Sequence, residues 1–362
     1  MRLLAPELAI PLAHIYNLSI IQSVVPSQWK VARIVPIPKI KNPAELSDFR
    51  PLSITSIISR QLEKFVVQEY LYPALLNPPD DLIFSDQYAF RPTGSTTALI
   101  IDILDTVTSL LESSDYVIMI ALDFSKAFDT IRHDTLFKKY SKLDVADELY
   151  NWLISYFKER SHYTEYAGLE SELRRISASI VQGSGLGPYS YLIAASDLRI
   201  LVLGFFLFKY ADDKYLITTS QHSAEIPSQL EHISAWAASN NMKLNHSKTK
   251  EIVFHKKRTV KNSPPPPIPG IERVTEINIL GVIFKNDLSM EGHVDHLLSS
   301  CGSSLYALRL LRAHGMQEEE LQEVFRSKVL SRLMYASQAW WGFAQSHRNS
   351  TMETTSHTIN RI

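Results

Sequence analysis

The chain has 362 residues, which is long enough to bury a large core and predicts two or three subdomains. A hydrophobic share of 45% and a charged share of 21% are ordinary for globular proteins and exclude wholesale disorder. The formal net charge of -1 excludes a generally basic nucleic-acid-binding protein, so any such binding must come from local patches.

Apolar spacing predicts helices and one strand in the N-terminal third of the chain. Residues 3–21 have helical spacing, whereas 31–38 form an extended run because each proline favours extended geometry in the residue before it. Ser95 or Thr96 can cap a further helix over the apolar residues that follow. One face of another predicted helix carries Ile58, Leu62, Phe65 and Val66.

Strands and helices alternate in the middle of the chain. The apolar run 116–122 predicts a buried strand, and helical stripes follow at 136–143 and 149–157. Residues 176–180 alternate in the manner of a strand. The glycine-rich loop 182–188 ends in a proline suited to the first turn of a helix, and a loop that leads into a helix often meets phosphates.

Further strands and helices are predicted towards the C-terminus. The β-prone runs 201–209 and 215–219 predict a hairpin, and 226–236 has the spacing of an amphipathic helix. Strands are predicted at 251–254 and 277–284. The proline-rich stretch 264–270 is a stiff connection, and the helical spacing beyond Val294 predicts a helical subdomain.

Three carboxylates stand where these predicted strands end. Asp212 and Asp213 lie at the tip of the predicted hairpin, directly after Tyr210-Ala211. Asp123 ends the buried strand 116–122. Hard divalent cations such as Mg²⁺ prefer carboxylate oxygens and keep positions open for substrate phosphates. The pattern therefore predicts a site for two-metal nucleotidyl transfer, although an aspartate pair alone is usually a solvated turn.

The remaining composition points to an intracellular protein. The single cysteine, Cys301, excludes an internal disulfide and a cysteine-based zinc site, and it fits a reducing compartment. The longest apolar stretch, 198–208, is too short to cross a bilayer. The first residues lack the apolar core and cleavage site of a secretory signal, so we expect no export.

Motifs spread over nearly the whole chain resemble the reverse transcriptase domain of non-LTR (LINE-type, jockey-like) retrotransposons. Motifs similar to those of the fingers are Pro26-Ser-Gln-Trp-Lys30, Ile37-Pro-Lys39, Asp48-Phe-Arg-Pro-Leu-Ser53, and Gln87-Tyr-Ala-Phe-Arg-Pro92 with Ser95-Thr96. Motifs similar to those of the palm are Leu122-Asp-Phe-Ser-Lys-Ala-Phe-Asp129 with His133-Asp134, Gln182-Gly-Ser184 with Leu186-Gly-Pro188, Tyr210-Ala-Asp-Asp213, Leu244-Asn245 with Ser247-Lys-Thr249, and Leu280-Gly-Val282.

The resemblance implies an α+β, right-hand polymerase fold with fingers, an antiparallel-sheet palm and an α-helical thumb. We expect the fingers within residues 1–115, the palm at 116–290 and the thumb, or a fragment of it, at 291–362. The resemblance also implies an RNA-directed DNA polymerase that uses an RNA template, a DNA primer, dNTPs and two Mg²⁺ ions, with Mn²⁺ as a substitute. The family also leads us to expect a nuclear location, and because fingers-like sequence begins near the start of the chain we expect no endonuclease domain within it.

The resemblance also assigns roles to individual residues. Asp123, Asp212 and Asp213 match the metal ligands, and Phe128 matches the aromatic ring that acts as a steric gate against a 2′-hydroxyl. Further matches to nucleotide-binding positions are Lys39 and Arg50 at the triphosphate, Gln182 with Gly183 beneath the nucleotide, Tyr210 before the aspartates, and Lys248 as a proton donor to pyrophosphate.

Several residues have simpler interpretations, or depart from the family pattern. Asp129 and Asp134 suit helix caps or salt-bridge partners better than metal ligands. His293 and His296 are expected to be a surface pair. Lys214 follows the paired carboxylates directly, where strand alternation would point it away from Asp213. Other departures are Ala89 in place of a glycine and Val181 in place of a proline.

Two other functions remain open at the level of the sequence. One is a catalytically silent, nucleic-acid-binding relic that keeps the groove but cannot extend a primer. The other is a different palm-type nucleotidyl transferase, such as an RNA-dependent RNA polymerase. Phe128 argues against ribonucleotide use, and the Tyr-Ala-Asp-Asp sequence at 210–213 is more similar to reverse transcriptases. The basic residues between Lys248 and Lys261 fit either nucleic-acid contact or a solubilising surface.

Overall fold

The structure, a computed structural model, describes residues 5–125, 127–256 and 263–344. It divides into two units, each of which is assembled from separate stretches of the chain. Unit 1 comprises Met1–Thr93, Phe124–Arg199 and Leu230–Leu244. Unit 2 comprises Gly94–Asp123, Ile200–Gln229 and Asn245–Ile362.

Helices and strands alternate along much of the chain. The helices are α1 (Ala5–Ile21), α2 (Ile57–Val66), α3 (Tyr72–Ala74), α4 (Thr96–Ser113), α5 (Ala127–Thr130), α6 (His133–Tyr140), α7 (Asp147–Phe157), α8 (Gly187–Ala194), α9 (Ile226–Ser239), α10 (Glu291–Ala313), α11 (Glu318–Phe325), α12 (Ser331–Met334) and α13 (Ser337–Trp340). The strands are β1 (Val31–Pro38), β2 (Phe49–Ile54), β3 (Tyr116–Leu122), β4 (Phe124–Ser125), β5 (Ser161–Tyr166), β6 (Leu169–Glu170), β7 (Arg174–Arg175), β8 (Phe205–Tyr210), β9 (Asp213–Thr219), β10 (Lys243–Leu244), β11 (Lys250–His255), β12 (Glu272–Val274), β13 (Glu276–Ile279) and β14 (Val282–Lys285).

Unit 1 contains the first predicted strand and most of the predicted helices of the N-terminal half. Its sheet has the order β2-β1-β5-β6, with β7 also paired to β5. β1 is antiparallel to β2 and parallel to β5. Two five-residue π-helical stretches interrupt the chain's helices: Val67–Leu71 joins α2 to α3 in this unit, and Arg326–Leu330 joins α11 to α12 in unit 2.

The predicted apolar face of α2 is only half right. Leu62 and Val66 are fully buried, but Ile58 and Phe65 are exposed. The buried face instead includes the polar residue Glu63, whose carboxylate accepts hydrogen bonds inside the protein. A search for apolar spacing could not identify a buried acidic residue. This residue becomes important for the turn that precedes α8.

The predicted strand at 176–180 is wrong. Ser179 has a φ of +93°, a left-handed backbone conformation that interrupts a strand. The backbone N–H groups of Ser179 and Ile180 donate to the carbonyl oxygens of Ile131 and Phe128, at 2.9 and 2.8 Å. The apolar residues of 176–180 alternate as in a strand. The backbone N–H groups of Ser179 and Ile180, however, bond to residues in and directly after α5 and do not extend a sheet.

A buried lysine joins three helical elements of unit 1. The Lys139 ammonium, on α6, donates to the carbonyl oxygen of Ala194 at the end of α8. It also donates to Asp197 Oδ1 at 2.7 Å and to Asn240 Oδ1 at 2.9 Å. Trp236 Nε1, on α9, donates to the same Asp197 oxygen at 2.7 Å. The network satisfies a charge that would otherwise be costly to bury.

Replacing Lys139 with methionine is expected to lower the free energy of unfolding by about 2 to 4 kcal/mol, because it leaves buried acceptors without their donor. Urea denaturation of the full chain measures the change. Lys138→Met is the matched control, since Lys138 is the exposed neighbour on the same helix. Equal losses in the two variants would contradict a structural role for the buried network.

Unit 2 is built around a five-stranded sheet of order β12-β11-β3-β9-β8. Its strand pairs are antiparallel except for the edge pair of β12 and β11, which is parallel. β3 is central and, apart from Ala121, its residues are buried. α4 packs against β3 and β8, and Ser95 caps it as predicted, with Oγ accepting the Ala98 N–H at 3.0 Å.

The single strand predicted at 277–284 is instead the hairpin β13–β14. The turn lies at Leu280 and Gly281, which have φ values of +47° and +90°. Asn278 Oδ1 accepts the Gly281 N–H at 2.8 Å and stabilises this turn. A glycine within a strand pattern is a known signal of such an interruption.

The C-terminal part of unit 2 consists of successive helices between Glu291 and Phe343, as the apolar spacing predicts. No helix within the described ranges combines the length and the apolar character needed to cross a membrane. Cys301 lies on α10 and is buried as a free thiol. The C-terminal residues beyond 344, and Lys257, Arg258 and Lys261 of the basic cluster, lie outside the described residues.

The predicted surface pair of histidines is wrong for His293, which is only 2% exposed. Its ring packs edge-on against Trp340, with centroids 4.8 Å apart. Nδ1 faces the backbone N–H of Ile283 at 3.5 Å, whereas Nε2 has no hydrogen-bond partner among the residues that the structure describes. Burial, with a smaller contribution from His296, lowers the His293 pKa to about 4.

The buried His293 makes unit 2 sensitive to acid. The His293 pKa is about 4 in the folded state and 6.5 ordinarily, so between pH 6.5 and pH 4 the unfolded chain binds more protons than the folded chain. The free energy of unfolding therefore decreases as the pH is lowered through this range. We expect a loss of about 3 kcal/mol by pH 4 relative to pH 7. Urea denaturation across this range measures it: His293→Gln should flatten the profile, whereas the exposed His296→Gln should not. An unchanged profile in His293→Gln would contradict the assignment.

Candidate active site

The Tyr-Ala-Asp-Asp segment forms the tip of a hairpin, as predicted. Tyr210 and Asp213 are the last paired residues of β8 and β9, and Ala211 and Asp212 form the two-residue turn. Ala211 has a φ of +53°, in the left-handed region that such turns require. β8 begins at Phe205 instead of Leu201, because Gly204 turns the chain with a φ of +87°.

Asp123 follows the central strand of the same sheet. The β3–β9 register ends at the pair Leu122 and Lys214, so Asp123 and Asp213 are the next residues along their strands. The Asp123 N–H points to Thr249 Oγ1 at 3.4 Å, and its carbonyl oxygen accepts the Asn245 N–H at 2.8 Å. The turn at 245–249 therefore fixes the backbone of Asp123, a role that sequence reasoning did not assign to Asn245 or Thr249.

The electrostatics of Asp213 show that the three carboxylates interact. Its pKa is raised to about 6, first by desolvation, then by the negative charge of Asp212 and, more weakly, by Asp123, while Lys214 opposes the shift. Asp213 is itself solvent-accessible, so the desolvation comes from dense protein around an accessible carboxyl group. Repulsion of this kind is what a bound cation relieves.

Lys214 is fully buried, in agreement with strand alternation, which places it on the opposite face of β9 from Asp213. Its ammonium lies 3.5 Å from the carbonyl oxygen of Asp212. From that face its positive charge still lowers the pKa of the Asp213 carboxyl group. Lys209, its cross-strand partner, is buried as well.

The donor chemistry of this corner suits a divalent cation, because Asp123 and Asp213 offer neighbouring carboxylates at the ends of adjacent strands. Among the side chains that the structure describes, no group of three or more histidine, cysteine or acidic residues has the arrangement of a metal site. Asp212 and Asp123 therefore influence Asp213 electrostatically, although the three carboxylates are not grouped as a metal site in the described part of the chain.

Tyr210 and Lys248, two further candidates, also belong to unit 2. Tyr210 is half-buried, and its pKa is raised by desolvation and then by Tyr335. Lys248 is exposed on the turn 245–249, where its backbone N–H donates to the carbonyl oxygen of Asn245 at 3.2 Å. Lys250, another member of the basic cluster, lies 3.8 Å from Glu272, whose carboxylate offsets its charge.

Lys39 and Arg50 lie together at the end of the β1–β2 hairpin in unit 1. Arg50 pairs with Ile37, and Lys39 follows β1 directly. Both residues are exposed. The Lys39 ammonium donates to the carbonyl oxygen of Ser47 at 2.9 Å, which holds it at this end of the hairpin. Two exposed cationic residues at the same end of a hairpin suit phosphate recognition.

Phe128 lies in unit 1 at the second position of α5. Its ring stacks on Tyr191 of α8, with centroids 4.2 Å apart and an angle of 21° between the rings. Phe90 meets it edge-on at 6.5 Å. Phe128 is nevertheless only half-buried. The ring is thus clamped on two sides and still partly accessible, which is what a steric gate requires.

Gln182 and Gly183 are also fixed within unit 1. The Gln182 carbonyl oxygen accepts the Ser53 N–H at 2.8 Å, and its side-chain amide donates to Asp129 Oδ1 at 2.7 Å. Gly183 has a φ of +108°, and a Cβ there would lie 2.6 Å from the Ser53 oxygen. Asp129 thus orients the side chain of Gln182, a contact that its local sequence does not indicate.

Asp134 and the glycine-rich loop both bind partners within the protein. Asp134 forms the expected salt bridge, with its Oδ2 atom 2.9 Å from Arg132. The glycine-rich loop is a weak signal for phosphate binding and more often an ordinary turn; here its Gly185 and Leu186 N–H groups donate to the carboxylate of Glu63, at 2.7 and 3.2 Å. A carboxylate from the protein itself already occupies these donors.

The candidate residues thus fall into two sets. Unit 2 contains Asp123, Tyr210, Asp212, Asp213 and Lys248, and unit 1 contains Lys39, Arg50, Phe128, Gln182 and Gly183. Five further residues contact the candidate residues or the turn beside them, and the sequence did not indicate these contacts: Glu63, Asp129, Tyr191, Asn245 and Thr249. Glu63 and Asp129 contact residues more than fifty positions away, which no local pattern could indicate.

Comparison with known proteins adds independent findings. A protein-family model described as "Reverse transcriptase (RNA-dependent DNA polymerase)" matches residues 37–284. The chain is 24% identical over 376 aligned positions to the RNA-directed DNA polymerase from mobile element jockey of Drosophila melanogaster, covering 99% of the chain and 40% of that relative. It is 27% identical to the probable RNA-directed DNA polymerase from transposon BS of the same organism, covering 93% of the chain and 39% of that relative.

Among solved structures, telomerase from Candida tropicalis, in complex with a TWJ fragment of telomeric RNA, is similar with a TM-score of 0.51 and 14% identity. The match covers 91% of the chain and 57% of that structure. It confirms the predicted α+β, right-hand polymerase fold. The chain spans about 40% of the length of its jockey relative. Since the family model covers most of the sequence, the chain belongs to the reverse transcriptase (RNA-dependent DNA polymerase) family.

Proposed function

We propose that this chain is an RNA-directed DNA polymerase that extends a DNA primer on an RNA template with dNTPs. The observation that carries the proposal is the position of Asp212 and Asp213 at the tip of the β8–β9 hairpin, beside the end of β3 that Asp123 follows, in a chain of the reverse transcriptase family. Reverse transcriptases generally use divalent metal ions. Two Mg²⁺ ions, or Mn²⁺ in their place, held by these three carboxylates are the specific form that we propose.

The aspartates would hold the cations where strands β3 and β9 end. Held by these residues, the cations would lower the pKa of a primer 3′-hydroxyl and would stabilise negative charge on the α-phosphate and the departing pyrophosphate. Lys39 and Arg50 contribute positive charge for the triphosphate. The ammonium Nζ of Lys248 is the proposed proton donor to pyrophosphate.

The other candidates would select and place the nucleotide. The Phe128 ring excludes a 2′-hydroxyl by its volume, and Gln182 with Gly183 supports the nucleotide from below. Tyr210 leads into the aspartate pair. We further propose fingers within residues 1–115, a palm at 116–290 and a thumb at 291–362, with a nuclear location.

A catalytically silent relic that binds nucleic acid is a second candidate function. Two observations favour it: within the described residues no three-carboxylate metal group is formed, and the buried Lys214 partly offsets the charge of Asp213. Such a protein would keep the cationic hairpin of Lys39 and Arg50 and still bind a template.

Primer extension by the full chain separates these functions. A labelled DNA primer annealed to RNA is incubated with the protein, Mg²⁺ and dNTPs, and we expect the primer to lengthen. Binding of the primer and template without extension would favour the relic. Extension with NTPs but not with dNTPs would instead indicate an RNA-dependent RNA polymerase.

A further inference from the structure

Glu63 is a buried acid that the proposed reaction does not use directly. It lies on α2 and is fully buried. Its Oε1 atom accepts the hydroxyl hydrogen of Ser59 at 2.7 Å. Its Oε2 atom accepts the N–H groups of Gly185 at 2.7 Å and Leu186 at 3.2 Å. A buried carboxylate persists only when such donors satisfy it, so this contact is specific.

The turn at 183–187 fits closely over α2. A Cβ on Gly185 would lie 2.9 Å from both the Arg60 carbonyl oxygen and the Glu63 Cβ. On the far side of the turn, the Ser184 hydroxyl accepts the Gly187 N–H at 2.8 Å. The Tyr189 hydroxyl, on α8, donates to the carbonyl oxygen of Leu71 at 3.0 Å. The turn and α8 are therefore fastened to the α2–α3 segment at several points.

The other end of this turn is Gln182. Its backbone carbonyl is held by Ser53, and its side-chain amide by Asp129. Only two residues separate Gln182 from Gly185, so a displacement of the Gly185 backbone is transmitted to Gln182 through a short stretch of chain. Among the hydrogen bonds of the described residues, Glu63 is the acidic side chain that accepts the N–H groups of Gly185 and Leu186.

We propose that Glu63 is a positioning residue for nucleotide binding: its buried carboxylate fixes the turn at 183–187 and thereby sets the place of Gln182. The proposal rests on the proposed function, because Gln182 is the residue assigned to the nucleotide. Glu63 does not touch the substrate. It acts through the Gly185 and Leu186 amides.

Steady-state primer extension tests this role with Glu63→Ala and Glu63→Gln. Alanine leaves the N–H groups of Gly185 and Leu186 without their acceptor, so we expect the KM for dNTP to rise about tenfold while kcat falls less than about threefold. Glutamine keeps the length and a carbonyl oxygen for both amides, and its NH₂ group can donate to Ser59 Oγ. It should restore KM to within about threefold of the wild type. Glu69→Ala is the matched control, since Glu69 is exposed in the helical segment that follows.

A double-mutant cycle with Gln182→Ala separates positioning from a general structural effect. If Glu63 acts through Gln182, adding Glu63→Ala to Gln182→Ala should change the KM for dNTP by less than about twofold. The same tenfold increase in both backgrounds would overturn the proposal. The proposal would also be overturned if Glu63→Ala and Glu63→Gln raised KM equally and lowered kcat equally.

Hydrogen exchange of the backbone amides tests the contact without any activity. In the wild type, peptides that contain Gly185 and Leu186 should exchange slowly, and in Glu63→Ala they should exchange at least about tenfold faster. Unchanged exchange in this variant would refute the anchoring by Glu63. If the wild type extends no primer, the proposed function fails, and the exchange experiment still decides whether Glu63 holds the turn.

Discussion

Asp212→Asn is expected to reduce primer extension by at least about a thousandfold. Asparagine has the shape of aspartate but lacks the negative charge that holds a divalent cation, and metal catalysis is worth several kcal/mol of transition-state stabilisation. Extension of a labelled primer on RNA under single-turnover conditions measures the loss. The same result is expected for Asp123→Asn, since Asp123 stands beside Asp213 on the neighbouring strand.

Two controls make the aspartate result specific. Asp105→Asn removes an exposed carboxylate on α4, in the same unit, and should leave extension within about twofold of the wild type. Mg²⁺ should raise the melting temperature of the wild type by binding the folded state, and it should do so less in Asp212→Asn. Normal extension by Asp212→Asn would remove this residue from the metal site.

Phe128→Ala is expected to raise rNTP incorporation relative to dNTP incorporation by roughly ten- to a hundredfold, because removal of the ring makes room for a 2′-hydroxyl. The ratio of kcat/KM for the two nucleotides measures this change. Phe128→Tyr, which keeps the ring, should retain discrimination against ribonucleotides.

The control for Phe128→Ala is Phe137→Ala, which truncates another partly exposed phenylalanine of unit 1. Like Phe128→Ala, Phe137→Ala loses the packing of an aromatic ring, but Phe137 is not the residue proposed to contact the nucleotide sugar. The Phe137→Ala variant should therefore discriminate between dNTP and rNTP as the wild type does. An active Phe128→Ala variant with the wild-type ratio would show that the ring serves only to pack against Tyr191.

Elements with a repeated apolar pattern were predictable from the sequence. α4 has both its cap at Ser95 and the predicted buried spacing, and β3 is the buried strand that the run 116–122 indicates. The Tyr-Ala-Asp-Asp hairpin was predictable for a related reason: two β-prone runs flank a polar pair. In each case the pattern that fixes the element lies within the element itself.

The remaining features depend on partners far away in the sequence. Nothing in the sequence near Asp129 reveals its hydrogen bond to Gln182. His293 looked exposed, because its spacing to His296 says nothing about Trp340 packing over it. The break at Leu280-Gly281 did have a local signal in the glycine, but the surrounding apolar residues masked it.

The central position of β3 has a consequence for how copies of this sequence can vary. β3 is hydrogen-bonded along both edges, to β11 and to β9. An insertion or deletion of one residue within 116–122 would shift the register, turn the strand's buried side chains to the wrong face and move Asp123 from the end of the strand. The proline-rich connection at 264–270 lies outside the paired strands, so changes in length should accumulate there instead.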